Sequence, residues 1–277
     1  MPGAERSATS RLVVPSRYNG PADSAQGGLV CGLLAALAEP RLGPDVVVTL
    51  HAPPPLDTAL ELRPAGRRCV LYEQERLVAV VTATRRPPPR PPAWVPYARA
   101  QEAAERFEGV RGHPFPDCFV CGHDRPDGLG LRPGPVRGET DTVASPWRPR
   151  VEPAEGPGRP VPAELVWAAL DCPGGWADDP VRRPMVLHRM TARIDAPPRT
   201  GDSCVVVGRV TRREERTSEN VTALYDVSGA LLAWAAATWV AVGTGTGTET
   251  APGAGARTGP VHDLSGKHQT AVEGTPS

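Results

Sequence analysis

Apolar positions recur along this chain in two helical patterns, each followed by four runs with strand character. In "GGLVCGLLAALA", Leu29, Val30, Leu33, Leu34 and Leu37 fall at i, i+1, i+4, i+5 and i+8, which places them on one face of a helix. The stretch "AELVWAALD" repeats that spacing with Leu165, Val166, Ala169 and Leu170. After the first helix come the β-branched run "DVVVTLHAPPP" and strand-like runs around 58–63, 68–73 and 76–84. After the second come "VLHRMTARIDAPP", "SCVVVGRVTRR", "NVTALYDV" and "ALLAWAAATWVAV". Ala52-Pro53-Pro54 answers Ala196-Pro197-Pro198, and Leu71-Tyr72-Glu73 answers Leu224-Tyr225-Asp226. Three markers in one order predict an internal duplication, with units at 10–84 and 115–242.

Two segments stand outside that pattern. Residues 85–98, "RRPPPRPPAWVPYA", carry too many prolines for a helix interior or a central strand, so 85–114 is predicted to be a Pro-rich, extended linker. Residues 243–277 hold too little apolar material to offset the cost of ordering and are expected to be disordered. Within each unit the turns between strands are too short for crossover helices, which dictates antiparallel pairing. The fold class is α+β, with each unit a central helix wrapped by a curved antiparallel sheet.

Charge narrows the choice of partners. Lys and Arg together number 31, as do Asp and Glu, so no net field favours nucleic acid or an anionic membrane surface. No apolar run reaches the roughly 18–20 residues of a membrane span, and the N-terminus lacks the pattern of a secretion signal. A cytoplasmic protein with a small-molecule substrate is expected. The six cysteines, at 31, 69, 118, 121, 172 and 204, are too scattered for a disulfide framework and read as reduced thiols.

The densest chemistry lies in "DCFVCGHDRPDGLGL", residues 117–131. Cys118 and Cys121 have the spacing of half a zinc knuckle, but a tetrahedral structural site needs four ligands. His113 and His123 do not sit at a spacing that supplies the rest. The segment therefore reads as a packed stretch turning at Gly122, Gly128 and Gly130, with no metal and no cofactor expected.

Three motifs, "NGPADSAQGGLVCGLLAAL", "CFVCGHDRPDGLGL" and "VPAELVWAALDCPGGW", make the chain resemble the hotdog fold, in the tandem or double form found among bacterial thioesterase-superfamily proteins. Many such proteins open a unit with Cys-Phe-x-Cys-Gly and a Pro-x-Gly-Leu turn; Arg125 stands here where they commonly carry asparagine. The resemblance implies acyl-thioester hydrolysis in a composite site, the helix start of one unit facing the helix of the other. Gln26-Gly27-Gly28 is similar to the His-Gly-Gly or Asn-Gly-Gly of that helix start, where free N–H groups and the helix dipole attract a carbonyl oxygen. Superimposing the helices by their apolar spacing matches Gly28 to Glu164 and Ala35 to Asp171, so one unit keeps the glycines and the other an acid.

The roles implied are Gly28 N–H polarising the carbonyl, Asp171 as general base or nucleophile, and Gln26 or Asn19 orienting water or carbonyl. Gly27, Glu164, Trp167 and Trp176 join Asn19 as candidate substrate contacts. Plainer roles stand beside these. Asp171 precedes "CPGG" and could bond to backbone at a helix end; Asp23 and Ser24 could cap the first helix; Glu164 suits a first helical turn; His188 could be a structural strand histidine. The substrate class is an acyl-CoA or acyl-pantetheine, in a monomer or homodimer. The rival readings are a non-catalytic acyl-binding protein and an enoyl-thioester hydratase, which would want a histidine that neither helix contains.

Overall fold

The computed structural model describes residues 9–86, 89–123, 125–150 and 158–242; the tail from 243 onward lies outside them. Eleven strands of the described residues join in a single antiparallel sheet. They are β1 (Ser10–Leu12), β2 (Val46–Leu50), β3 (Leu60–Ala65), β4 (Arg68–Glu73), β5 (Arg76–Ala83), β6 (Gly134–Pro135), β7 (Thr142–Trp147), β8 (Met185–Ile194), β9 (Cys204–Arg213), β10 (Thr217–Asp226) and β11 (Leu231–Ala241). The helices are α1 (Gly27–Leu42), α2 (Tyr97–Ala104), the single turn α3 (Gly109–Gly112) and α4 (Ala163–Trp176).

Across the sheet the order is β1-β3-β4-β5-β2-β8-β11-β10-β9-β7-β6. Read inward from either side, the first half runs β1-β3-β4-β5-β2 and the second β7-β9-β10-β11-β8, the same order of equivalents. The halves meet where β2 pairs with β8, Val48 opposite Met190 and Thr49 opposite Arg189. A side-chain bond from Thr191 Oγ1 to the Val46 carbonyl, 2.8 Å, ties the seam. Each half also has a strand before its helix, β1 and β7, that the apolar pattern does not show. In "TVASPW" the proline hides the strand, but Pro146 lies past the end of two-residue β6, on the outer side of β7 where no neighbour needs its missing N–H.

The apolar faces of α1 and α4 share one core with the sheet, containing Leu29, Leu34, Leu71, Val166, Leu170 and Leu224 among others. The two helices cross close together, and glycine makes this possible. A Cβ on Gly28 would sit 2.5 Å from Asp171 Cβ, and one on Gly32 would sit 2.6 Å from Glu164 Cα. Four residues apart on one face, Gly28 and Gly32 let α4 lie against the backbone of α1.

The expected linker is not extended throughout. Past Pro96, "YARAQEAA" is rich in good helix formers and forms α2. Ala100 and Ala103 are fully buried against Val205, Val207, Ala223 and Tyr225, on the sheet face opposite α4. Pro92 before it is anchored as well, since Tyr225 Oη donates to its carbonyl at 2.5 Å. No helix of the described residues is long and apolar enough to cross a membrane.

Candidate active site

The start of α1 is capped by the side chain that precedes it. Gln26 has extended backbone angles, and its Oε1 accepts the Leu29 N–H at 2.6 Å, the geometry of an N-cap. Asp23 and Ser24, expected as caps, line a cavity instead. The Gln26 Nε2 then donates across the helix pair to Asp171 Oδ2, 2.5 Å away, and the Gly28 N–H donates to that same oxygen at 2.8 Å. Gln26 and Asp171 are each about 2 % exposed.

Asp171 does not lie at a helix end, because α4 runs through Cys172-Pro173-Gly174-Gly175 to Trp176. Its carboxylate bonds to the opposite helix rather than to local backbone. The glycines of that last stretch serve packing, Gly174 fitting beneath Asn220 and Gly175 beneath the Trp239 ring. Burial pushes the Asp171 carboxyl up to about 7, opposed in part by the bonds from Gly28 and Gln26. Its second oxygen, Oδ1, is buried without a hydrogen-bond partner.

The equivalent position on the second helix is furnished differently. Just before α1, the Ala25 N–H donates to the Pro54 carbonyl; just before α4, the Val161 N–H donates to the Pro198 carbonyl, each at 2.8 Å. This equivalence sets Pro162 at the place of Gln26, and the start of α4 has no side-chain cap. Glu164 and Trp167 pack beside Gly32 and are not on the cavity wall.

That cavity has a volume of about 550 Å³, the size of a small-molecule site. Its floor is the start of α1 and the second half of α4, including Gln26, Gly27, Asp171 and Trp176. The Ala52-Pro53-Pro54 turn, residues 185–188 of β8 and the end of β11 form further walls, and residues 113–121 complete it. Asn19 is not on the wall. Its Oδ1 is held by Arg125, which also binds the Arg17 carbonyl, the Asp117 carbonyl at 2.6 Å and Asp127 at 2.8 Å. Arg125 thus clamps the Cys-Phe-Val-Cys-Gly segment to the lead-in of α1.

The fold also gathers residues that sequence spacing keeps apart. Cys118, Cys121 and Cys172 converge with their sulfurs all within 4.8 Å of one another, and Cys118 Sγ lies 3.8 Å from Cys172 Sγ. The pair seen in the sequence is therefore a trio, its third member adjacent to Asp171 in "LDCPGG". His113 stands beside it with Nε2 3.2 Å from Cys121 Sγ, and burial lowers its pKa, leaving the ring neutral. Because Nδ1 accepts the Phe115 N–H, the ring proton lies on Nε2 and points at the sulfur. His51, the residue after β2, and His188 of β8 also reach the wall, although neither helix holds a histidine.

No family model matches the chain, and no curated protein matches it by sequence. Solved structures do resemble it. A hot dog fold protein of unknown function from Alicyclobacillus acidocaldarius is 16 % identical, with a TM-score of 0.56 over 87 % of this chain and 95 % of its own. The tesB protein of Mycobacterium avium subspecies paratuberculosis is 13 % identical, with 0.54 over 87 % and 96 %. The acyl-CoA thioesterase II TesB2 of Mycobacterium marinum is 10 % identical, with 0.51 over 87 % and 95 %. At such identities the likeness speaks for architecture, and it agrees with one long antiparallel sheet packed on two central helices: this chain has the hotdog fold.

Proposed function

We infer that this protein is an acyl-thioester hydrolase, built as two hotdog units with one composite site between them. The observation that carries the reading is the buried Asp171 carboxylate of one half, held by Gln26 and Gly28 of the other at the floor of a cavity of about 550 Å³. The solved structures named as thioesterases support the same chemistry.

The first-turn amides of α1 define the roles. Leu29 N–H is taken by Gln26, Gly28 N–H by Asp171, and Val30 N–H by the Gln26 carbonyl, the first bond of the helix ladder. The amide left for a substrate carbonyl is that of Gly27, which lines the cavity. Gly28 therefore positions the acid rather than the carbonyl, a change from the sequence expectation. Asp171 takes a proton from water as the water oxygen attacks the thioester carbon; the C–S bond then breaks, and the departing thiolate takes up that proton. Gln26 holds the carboxylate and the helix start together. A CoA or other pantetheine thioester fits this chemistry.

The test is thiol release from short-, medium- and long-chain acyl-CoAs by the wild-type protein and by Asp171→Asn. Turnover by the wild type, reduced by at least about a hundredfold in the variant, is expected. Tight acyl-CoA binding with no thiol released would establish the ligand-binding alternative, and turnover unchanged in the variant would remove Asp171 from the mechanism.

A further inference from the structure

We propose that Cys118, Cys121 and Cys172 form a Zn²⁺ site that fastens the 113–131 segment to α4, with its fourth coordination position reached from the cavity. This is independent of the hydrolytic reading. Zinc–thiolate bonds of about 2.3 Å in a tetrahedron put ligand sulfurs about 3.8 Å apart. The Cys118–Cys172 separation is 3.8 Å, and the third sulfur lies within 4.8 Å of both. All three thiols line the cavity, so water can complete the coordination without crossing the core.

Side-chain N–H groups are directed at two of the three sulfurs. Cys121 Sγ receives the His113 Nε2–H at 3.2 Å and the Trp176 Nε1–H at 3.4 Å, and Cys172 Sγ receives the Gln26 Nε2–H at 3.7 Å. Three thiolates around a divalent ion leave one net negative charge, and N–H groups directed at the sulfurs are what offsets it. With Nδ1 committed to the Phe115 N–H, His113 is such a donor and not a ligand. Among the described residues, Cys31, Cys69 and Cys204 are buried with no N–H donor of this kind, as small hydrophobes are. Binding the ion displaces the three thiol protons to solvent, with no change of oxidation state.

The experiment uses the full chain, purified under reducing conditions without chelator. Elemental analysis is expected to find about one zinc per chain. Exchange into Co²⁺ should produce thiolate-to-cobalt absorption in the near ultraviolet, together with the visible bands of a tetrahedral ion. Cys172→Ser, shown to be folded by far-ultraviolet circular dichroism, should lose the thiolate absorption. Should that variant not fold, alkylation of native wild-type protein followed by mass spectrometry supplies the answer: Zn²⁺ must protect Cys118, Cys121 and Cys172. Reduced wild-type protein that binds no zinc and gives no cobalt–thiolate absorption overturns the proposal. So does absorption that persists in folded Cys172→Ser, or protection that does not map to these three cysteines.

Discussion

Asp171 presents two oxygens in different circumstances: Oδ2 accepts two N–H groups, whereas Oδ1 is buried and unpaired. Deleting the carboxylate as alanine orphans the Gly28 and Gln26 donors, at a cost of about 1–3 kcal/mol, whereas asparagine keeps the shape. The asparagine variant is for that reason the cleaner probe of chemistry. The glycines opposite are a packing requirement of the same kind. Gly32→Ala would press its methyl into the Glu164 backbone and should destabilise the protein by about 1–3 kcal/mol, measured by urea unfolding. At this scale the sequence was legible where backbone geometry decides. Gly28 and Asp171 stood out as part of a glycine pair at a helix start and as an acid within an apolar helix, and Gln26 only through the resemblance to the hotdog helix start. The partner of the Gly28 N–H did not, because a bond between residues 143 apart leaves no trace in spacing.

Among elements, the Cys-Phe-Val-Cys-Gly segment has almost no regular structure and is held by pinning. The Phe119 N–H donates to the Asn19 carbonyl, the Leu129 N–H to the Phe119 carbonyl and the Leu131 N–H to the Val120 carbonyl. Arg125 closes it by binding Asn19, Arg17, Asp117 and Asp127. Arg125→Leu is expected to leave the sheet folded while the amides of residues 118–131 exchange at least about tenfold faster with deuterium, a local opening of about 1.4 kcal/mol or more. Elements with strong periodicity, α1, α4 and the strands after them, could be read directly. The short β1, β6 and β7 and the helix α2 could not. The prolines that precede "YARAQEAA" dominate the composition of 85–98, and only the sheet face the helix covers explains why it is ordered.

On the scale of the whole molecule, the core runs through both halves without interruption, so neither half has a boundary at which to melt alone. All six tryptophans lie from residue 94 onward, which allows a direct check. Their fluorescence reports the later half and far-ultraviolet circular dichroism reports both, and the two denaturation curves should coincide. Low pH should loosen the molecule at a defined point. Asp178 is buried, which opposes its charge, but Arg213 and Arg183 each bind it at 2.6 Å and hold its pKa below the usual carboxylate range. Its contribution is complete above the unfolded carboxylate value near about 4 and disappears as pH falls through the depressed folded value. Asp178→Asn should therefore cost about 1.5–3 kcal/mol at neutral pH, with the gap to wild type closing as pH falls below the usual carboxylate range in unfolding titrations.

The repeated order of strands invites the thought of twin workshops, but only one bench is equipped. Pro162 stands where the other helix carries Gln26, and Ala35 where the other carries Asp171, so the second meeting of a helix start with its opposite helix lacks both the cap and the acid. Acyl-CoA titrated calorimetrically into Asp171→Asn, which leaves the thioester uncleaved, should level off at one equivalent per chain along a simple hyperbola, the behaviour of a solitary receptor.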